Sequence, residues 1–295
     1  MSEQKYAYSE IFYSMQGEGK YTGEPTAWLR FFLCNLQCDG FGQKDPTNPE
    51  TYELPYKDVD TSEYDRIENL PVFQYGCDSS YSWSKKFAHL QNRKTAPEIA
   101  SDILDKVPNR SFDDNIHMCF TGGEPLMKHG QKATVELMKH YDATGQIIPS
   151  VTFETNGTQA LTDDFIEYWE HNDKTELFFS LSPKLWSVAG EKRSKAIKPE
   201  VLKQYHDLSR EGQLKFVCNG TDAAWTEIEE VVDIYRQHGV YYPVWIMPVG
   251  ATLEGQKGEI EGHMTDGDVA QQALARGYRV SARVHVYLWG NKIGV

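Results

Sequence analysis

The feature that most constrains this 295-residue chain is a repeated exchange of short apolar runs with amphipathic segments of helical period. Residues 26–33, 116–120, 148–153, 177–181, 214–217 and 244–247 read as buried strands, being short, apolar and rich in β-branched and aromatic side chains. Between them, residues 96–107, 131–141, 163–170, 223–237 and 266–276 read as helices; in the first, Ile99, Ile103 and Leu104 share one face. Such alternation predicts a parallel sheet wrapped by helices, either a barrel or a doubly wound sheet, with the working site at the strands' C-terminal ends. Residues 39–76 break the pattern as a polar stretch with Pro46, Pro49, Pro55 and Pro71 and only scattered apolar residues. With no internal repeat or low-complexity tract, the expectation is one domain over 1–295 carrying a single insertion at about 39–76.

Composition narrows the function classes. Hydrophobic residues make up 40% of the chain, and no apolar run approaches the roughly 20 residues of a membrane span, so no membrane partner is expected. The polar start, Met1 to Glu10, lacks the apolar core of a signal peptide, which predicts a cytoplasmic protein. In that reducing compartment five cysteines point to metal binding or catalysis rather than disulfides. The formal charge of -13 repels phosphate backbones, so nucleic acid is not expected as a direct substrate, and the acidic surplus serves solubility.

Reading the strand ends in order gives Cys34 and Cys38, then Thr121-Gly122-Gly123-Glu124-Pro125, Glu154-Thr155-Asn156-Gly157, Ser180-Leu181-Ser182-Pro183-Lys184, and Pro248. Small and polar residues directly after apolar runs let backbone approach a ligand, although Asn156-Gly157 or Ser182-Pro183 alone would be an ordinary turn. Cys34 and Cys38 can converge on one metal centre, but an iron–sulfur cluster needs a third thiolate. Cys119 and Cys218 lie in apolar runs and read as small buried hydrophobes, whereas Cys77 follows a glycine in a polar loop.

Here a resemblance becomes specific. The segment Cys77-Asp78-Ser79-Ser80-Tyr81-Ser82-Trp83 is similar to the end of the motif C-x3-C-x2-C-D-T-x-Y-x-W of 7-carboxy-7-deazaguanine synthases, radical S-adenosylmethionine enzymes. Cys34-Asn35-Leu36-Gln37-Cys38 supplies its first two cysteines, and the two-residue gap before the third is expanded to residues 39–76. Ser14-Met15-Gln16-Gly17-Glu18-Gly19 matches the family's Q-G-E-G, and Arg30 stands four before the first cysteine.

The resemblance implies an α/β fold, a partial TIM-like β/α barrel of about six parallel strands. It implies a [4Fe-4S] cluster on Cys34, Cys38 and Cys77, Mg2+ on Ser79 in place of the family threonine, and S-adenosylmethionine held by Gly76, Asp78, Gly123, Glu124, Glu154, Thr155, Asn156, Ser182, Pro183 and Lys184. The Gly122-Gly123-Glu124 station would offer strand-edge backbone and a carboxylate to the methionine ammonium. Because Gly76 stands where many radical enzymes have an aromatic residue, Tyr75 or an insertion residue would flank the adenine. The implied substrate is 6-carboxy-5,6,7,8-tetrahydropterin, contacted by Met15, Gln16, Gly17, Glu18, Arg30, Thr121, His285 on a strand-like run at 283–288, and the terminal Val295. Hydrogen abstraction, ring contraction and ammonia loss would give 7-carboxy-7-deazaguanine for queuosine-type biosynthesis, without an acid/base residue. An electron donor such as flavodoxin and a homodimer are further implications. Competing expectations are another radical enzyme, such as a glycyl-radical activase, and a non-catalytic zinc module completed by Cys119 or a histidine.

Overall fold

Strand order decides between the two sheet architectures. In a computed structural model that describes residues 4–112, 116–258 and 260–295, nine strands form one sheet. They are β1 (Tyr6–Met15), β2 (Pro25–Phe31), β3 (Asn92–Lys94), β4 (His117–Gly122), β5 (Ser150–Thr155), β6 (Glu176–Leu181), β7 (Gly212–Cys218), β8 (Val244–Pro248) and β9 (Arg279–Val280). The order is β3-β1-β2-β4-β5-β6-β7-β8-β9, and every pair from β2 to β9 is parallel. A doubly wound sheet reverses its strand order at a switch point. Here the order from β2 onward follows the chain without reversal, as in a barrel wall, and the wall is left open. Six of these parallel strands have five or more residues, and β9 adds two.

The helices are α1 (Ala96–Leu104), α2 (Lys128–Thr144), α3 (Asp163–Glu170), α4 (Pro199–Leu208), α5 (Asp222–Gln237), α6 (Asp266–Ala275) and α7 (Val284–Trp289), besides shorter turns. Thr95 and Glu98 form a reciprocal capping box that starts α1. Between sheet and helices runs an aromatic ladder. Phe31, Phe120, Phe153 and Phe179 stack across β2, β4, β5 and β6 at centroid spacings of 6.2, 5.1 and 5.9 Å, and Tyr205 of α4 continues it at 4.8 Å. Each such pair adds about 0.5–1.5 kcal/mol beyond its buried area, so this face is the rigid side of the wall.

The structure revises two readings. The 283–288 run is not a strand: Val284–Trp289 is helical and is closed by Gly290 in the left-handed region. Its β-branched and aromatic residues favour strands intrinsically, but at this position the chain has passed the last strand of the wall and packing sets its form. Residues 39–76 are also more than a polar excursion. Tyr56, Ile67, Leu70 and Phe73 are buried together with Tyr81 and Phe87, which follow the cysteine motif, and with Ile293 near the chain's end. These apolar residues sit on short turns rather than a periodic element, so neither period 2 nor 3.6 announces them.

Among the described residues no helix is long and apolar enough to cross a membrane.

Candidate active site

A cavity of about 270 Å3 opens at the C-terminal ends of the strands. Cys34, Cys38 and Cys77 all line it. The backbone around them is held from several sides. Glu124 N donates to the Leu33 carbonyl (2.9 Å), Gln37 N and Cys38 N donate to Glu191 Oε1 (2.7 and 2.9 Å), and Gly76 N donates to the Phe41 carbonyl (2.8 Å). Leu33 and Cys38 adopt φ of 90° and 56°, positions that non-glycine residues take only where surrounding structure enforces them. Gly123 is required here, since a Cβ would clash with the Leu33 carbonyl and lie 2.8 Å from Cys34 Cβ. Burial pushes the Cys34 thiol up to about 12 and Cys77 to about 11, and holds Cys38 well above its ordinary value; the Lys184 ammonium acts in the opposite direction on all three. Two donors point at the Cys34 sulfur, Leu36 N at 3.4 Å and Asn156 Nδ2 at 3.8 Å.

Beyond the cysteines lies a chain of alternating charges. Lys215 on β7, its side chain 2% exposed, reaches Glu18 Oε2 at 2.5 Å and Glu154 Oε2 at 2.9 Å. Arg283 continues from Glu18 Oε1 (3.1 Å) to Asp78 Oδ2 (2.5 Å), and its Nη1 donates to the Gly250 carbonyl at 2.8 Å. Gln16 Nε2 donates to Glu154 Oε1 at 3.2 Å. The Q-G-E loop, the β5 and β7 ends and the residue after Cys77 are thus one network. Against the upward push of burial, Lys215 and Arg283 hold Glu18 well below the usual carboxylate range. Arg283 does the same for Asp78.

A second ion pair stands on the β1–β2 ladder. Arg30 Nε donates to Glu10 Oε1 at 2.6 Å, and Tyr81 Oη donates to the same oxygen at 2.9 Å. Arg30 Nη1 reaches Ser79 Oγ at 3.4 Å, and Ser79 Oγ donates to Asp78 Oδ1 at 3.2 Å.

With this geometry in place, the comparisons are informative. The chain is 24% identical over 302 residues to a 7-carboxy-7-deazaguanine synthase of Leptospira interrogans, covering all of both chains. It is 27% identical to the synthase of the same name from Halobacterium salinarum, covering 96% of this chain and 90% of that one. The chain is thus similar, almost end to end, to proteins named 7-carboxy-7-deazaguanine synthase. No protein-family model matches it. Among solved structures, QueE from Escherichia coli superposes with a TM-score of 0.53 at 16% identity over 95% of each chain, a likeness of fold.

Of the residues anticipated for a 7-carboxy-7-deazaguanine synthase, the cavity lining contains Met15, Gln16, Gly17, Glu18, Arg30, Gly76, Asp78, Ser79, Thr121, Gly123, Glu154, Thr155, Asn156, Ser182, Lys184, His285 and Val295, besides the three cysteines. Two anticipated residues lie elsewhere. Glu124 is fully buried beneath the rim, and its carboxylate accepts from Leu126 N (2.9 Å), Thr155 Oγ1 (2.7 Å) and Asn156 N (2.7 Å). It shapes the β5 end and has no free oxygen directed to an ammonium. Pro183 is buried and outside the lining, while its neighbours Ser182 and Lys184 are in it. Tyr75 is likewise absent from the lining, and from the insertion Val72 and Gln74 are present. Cys119 and Cys218 are fully buried in β4 and β7 and outside the cavity.

Sequence reasoning missed Glu10, Lys215 and Arg283. All three are charged residues beside or within apolar runs, and that anomaly was their only signal.

Burial, reinforced by Arg283, lowers His285 to about 4, so its ring is neutral in the folded protein at pH 7. The unfolded chain therefore binds the extra proton first as pH falls below 6.5. His285 opposes folding progressively between pH 6.5 and about 4. Replacing it with glutamine is expected to flatten that part of the stability–pH curve, measured by urea unfolding at several pH values. A nuclear magnetic resonance titration placing His285 near 6.5 would refute this.

Proposed function

We propose that the chain holds a [4Fe-4S] cluster on Cys34, Cys38 and Cys77, binds S-adenosylmethionine beside it, and converts 6-carboxy-5,6,7,8-tetrahydropterin to 7-carboxy-7-deazaguanine. The observation that carries this reading is that three cysteines, two of them separated by a 38-residue insertion, line the same cavity as Arg30 and the Glu18–Lys215–Glu154 network. The donor set suits the cluster: three thiols, N–H donors at the Cys34 sulfur, and the Lys184 cation acting on all three.

Bound together, the cluster and S-adenosylmethionine supply a carbon-centred radical that abstracts hydrogen. The chain's own residues bind, orient and exclude water. Thr155, Asn156, Ser182 and Lys184 form the wall next to the cysteines and suit ribose hydroxyls and a carboxylate. Arg30 is fixed through Nε by Glu10 and touched at Nη1 by Ser79 Oγ at 3.4 Å, which leaves the rest of its Nη edge for the substrate carboxylate. Gln16, Glu18 and Thr121 present acceptors and donors to a pterin edge. Ser79 Oγ and Asp78 Oδ1, 3.2 Å apart, are hard oxygens suited to Mg2+. We read residues 1–295 as one barrel domain with its insertion, working in the cytoplasm as a homodimer and reduced by a flavodoxin-like donor, its product serving queuosine-type biosynthesis.

Anaerobic reconstitution with iron and sulfide tests the cofactor assignment. The expected result is a brown protein with close to four irons per chain and broad absorption at the blue end of the visible. Colourless protein with stoichiometric zinc would contradict it.

The insertion's part is to build the wall and seat the chain's end. Val72 and Gln74 line the cavity with residues 291–295, and Ile293 is anchored among Tyr56, Ile67, Leu70 and Phe73. Ile293→Asp is expected to remove about 2 kcal/mol of local docking. Amide exchange at 291–295 should accelerate and substrate KM rise, with cluster absorption unchanged. Unaltered exchange would show that the insertion does not hold the tail.

A further inference from the structure

Glu10 is 3% exposed, yet only one of its oxygens is used. Oε1 receives both Arg30 Nε and Tyr81 Oη, whereas Oε2 is buried and, among the described residues, without a hydrogen-bond partner. A buried carboxylate oxygen left open is costly unless a ligand completes it. Its position is not accidental. The β1–β2 ladder runs Tyr8↔Phe31, then Glu10↔Arg30, so Ser9 is an extra residue in a bulge. Continued regularly from Tyr8, the ladder would set Ser9 opposite Arg30 and place Glu10 against Leu29. The bulge re-aims the strand so that Glu10 and Arg30 are directly paired, followed on the same face by Phe12 and Trp28, whose rings stack at 5.5 Å. All four residues line the cavity. The free oxygen lies on the side of the chain's end, since a Cβ on cavity-lining Gly294 would come to 3.9 Å from it.

Resting on the proposed function, we infer that Glu10 is a substrate-recognition residue whose free Oε2 accepts the N5–H that flanks the carboxyl-bearing carbon, while Arg30 holds the carboxylate. The two side chains form one reader for an anionic carboxylate with a neighbouring N–H. Charge supports the pairing. With the substrate's carboxylate on Arg30, one guanidinium serves two anions, and an N–H donated to Glu10 relieves the repulsion between them. The reader also sets the oxidation state that binds, because N5 carries hydrogen in the tetrahydropterin and is a bare acceptor in fully oxidised 6-carboxypterin.

The test is anaerobic binding of both pterins to reconstituted wild-type protein and to E10Q, followed calorimetrically. Wild type is expected to prefer the tetrahydropterin. In E10Q the amide can donate to a bare N5, so that preference should shrink by about tenfold or more, the reduced ligand weakening as the oxidised one gains. Equal loss for both ligands would overturn the inference and leave Glu10 as a positioning residue for Arg30 alone. Wild type that binds neither pterin would overturn the substrate assignment and this inference with it. Should E10Q fail to fold, E10D carries the same test: its shorter carboxylate draws back from N5, narrowing the preference, and an unchanged preference would overturn the inference.

Discussion

Cys77→Ala is expected to leave a folded chain that cannot assemble the full cluster, with cleavage of S-adenosylmethionine falling to background. The effect should be this large because Cys34 and Cys38 supply only two thiolates, and the other two cysteines are buried in strands outside the cavity. The fold should survive. Cys77 sits in a loop held independently by the Arg283–Asp78 pair (2.5 Å) and by Gly76 N donating to the Phe41 carbonyl (2.8 Å), across the two ends of the insertion. Iron and sulfide analysis with electron paramagnetic resonance of the reduced protein measures the loss. Cys119→Ala serves as the control and should retain both signal and turnover. A Cys77→Ala protein with a full wild-type cluster would show that the motif ends elsewhere.

Lys215→Met should produce the largest change in stability. The side chain is nearly inaccessible and bridges two carboxylates whose own exposure is 15% and 16%. Removing one partner of a buried ionic network strands the others, at about 3–5 kcal/mol. The pH dependence identifies the cause. Glu18 is held below its ordinary 4.5, so its contribution is present above that value and lost as pH falls through its folded value. Lys215 is held above its ordinary 10.5 by Glu154 and Glu18 against the effect of burial, so its contribution is present below 10.5 and lost only in strong alkali. The deficit of the variant should therefore be greatest across neutral pH and shrink below 4.5, where the Glu18 contribution begins to be lost. Denaturant unfolding of apo-protein from about pH 3 to about pH 8 measures it. A deficit independent of pH would point to lost packing instead.

How far the sequence is legible follows from what carries periodicity. The parallel strands and most of their helices are written in apolar spacing, and they alone place the strand-end stations on one rim. β1 is harder, because Glu10 and the Ser9 bulge interrupt its alternation, and the residue paired with Arg30 is hidden by the same interruption. Cys77 has no spacing signal at all and emerges only through Asp78, Tyr81 and Trp83. The structure supplies reasons for those companions: Asp78 pairs with Arg283, and Tyr81 donates to Glu10. The Glu124 carboxylate, at a strand end, looks available in the sequence, whereas in the structure three hydrogen-bond donors take it up. The composition of Val284–Trp289 favours a strand, but beyond β9 the chain's packing makes it a helix.

The most direct test of the account is turnover by the anaerobically reconstituted protein given 6-carboxy-5,6,7,8-tetrahydropterin, S-adenosylmethionine, Mg2+ and a reductant, with mass detection of the products. The account predicts 7-carboxy-7-deazaguanine, accompanied by 5'-deoxyadenosine and methionine. An intact three-cysteine cluster that cleaves S-adenosylmethionine yet leaves the pterin unchanged would contradict it.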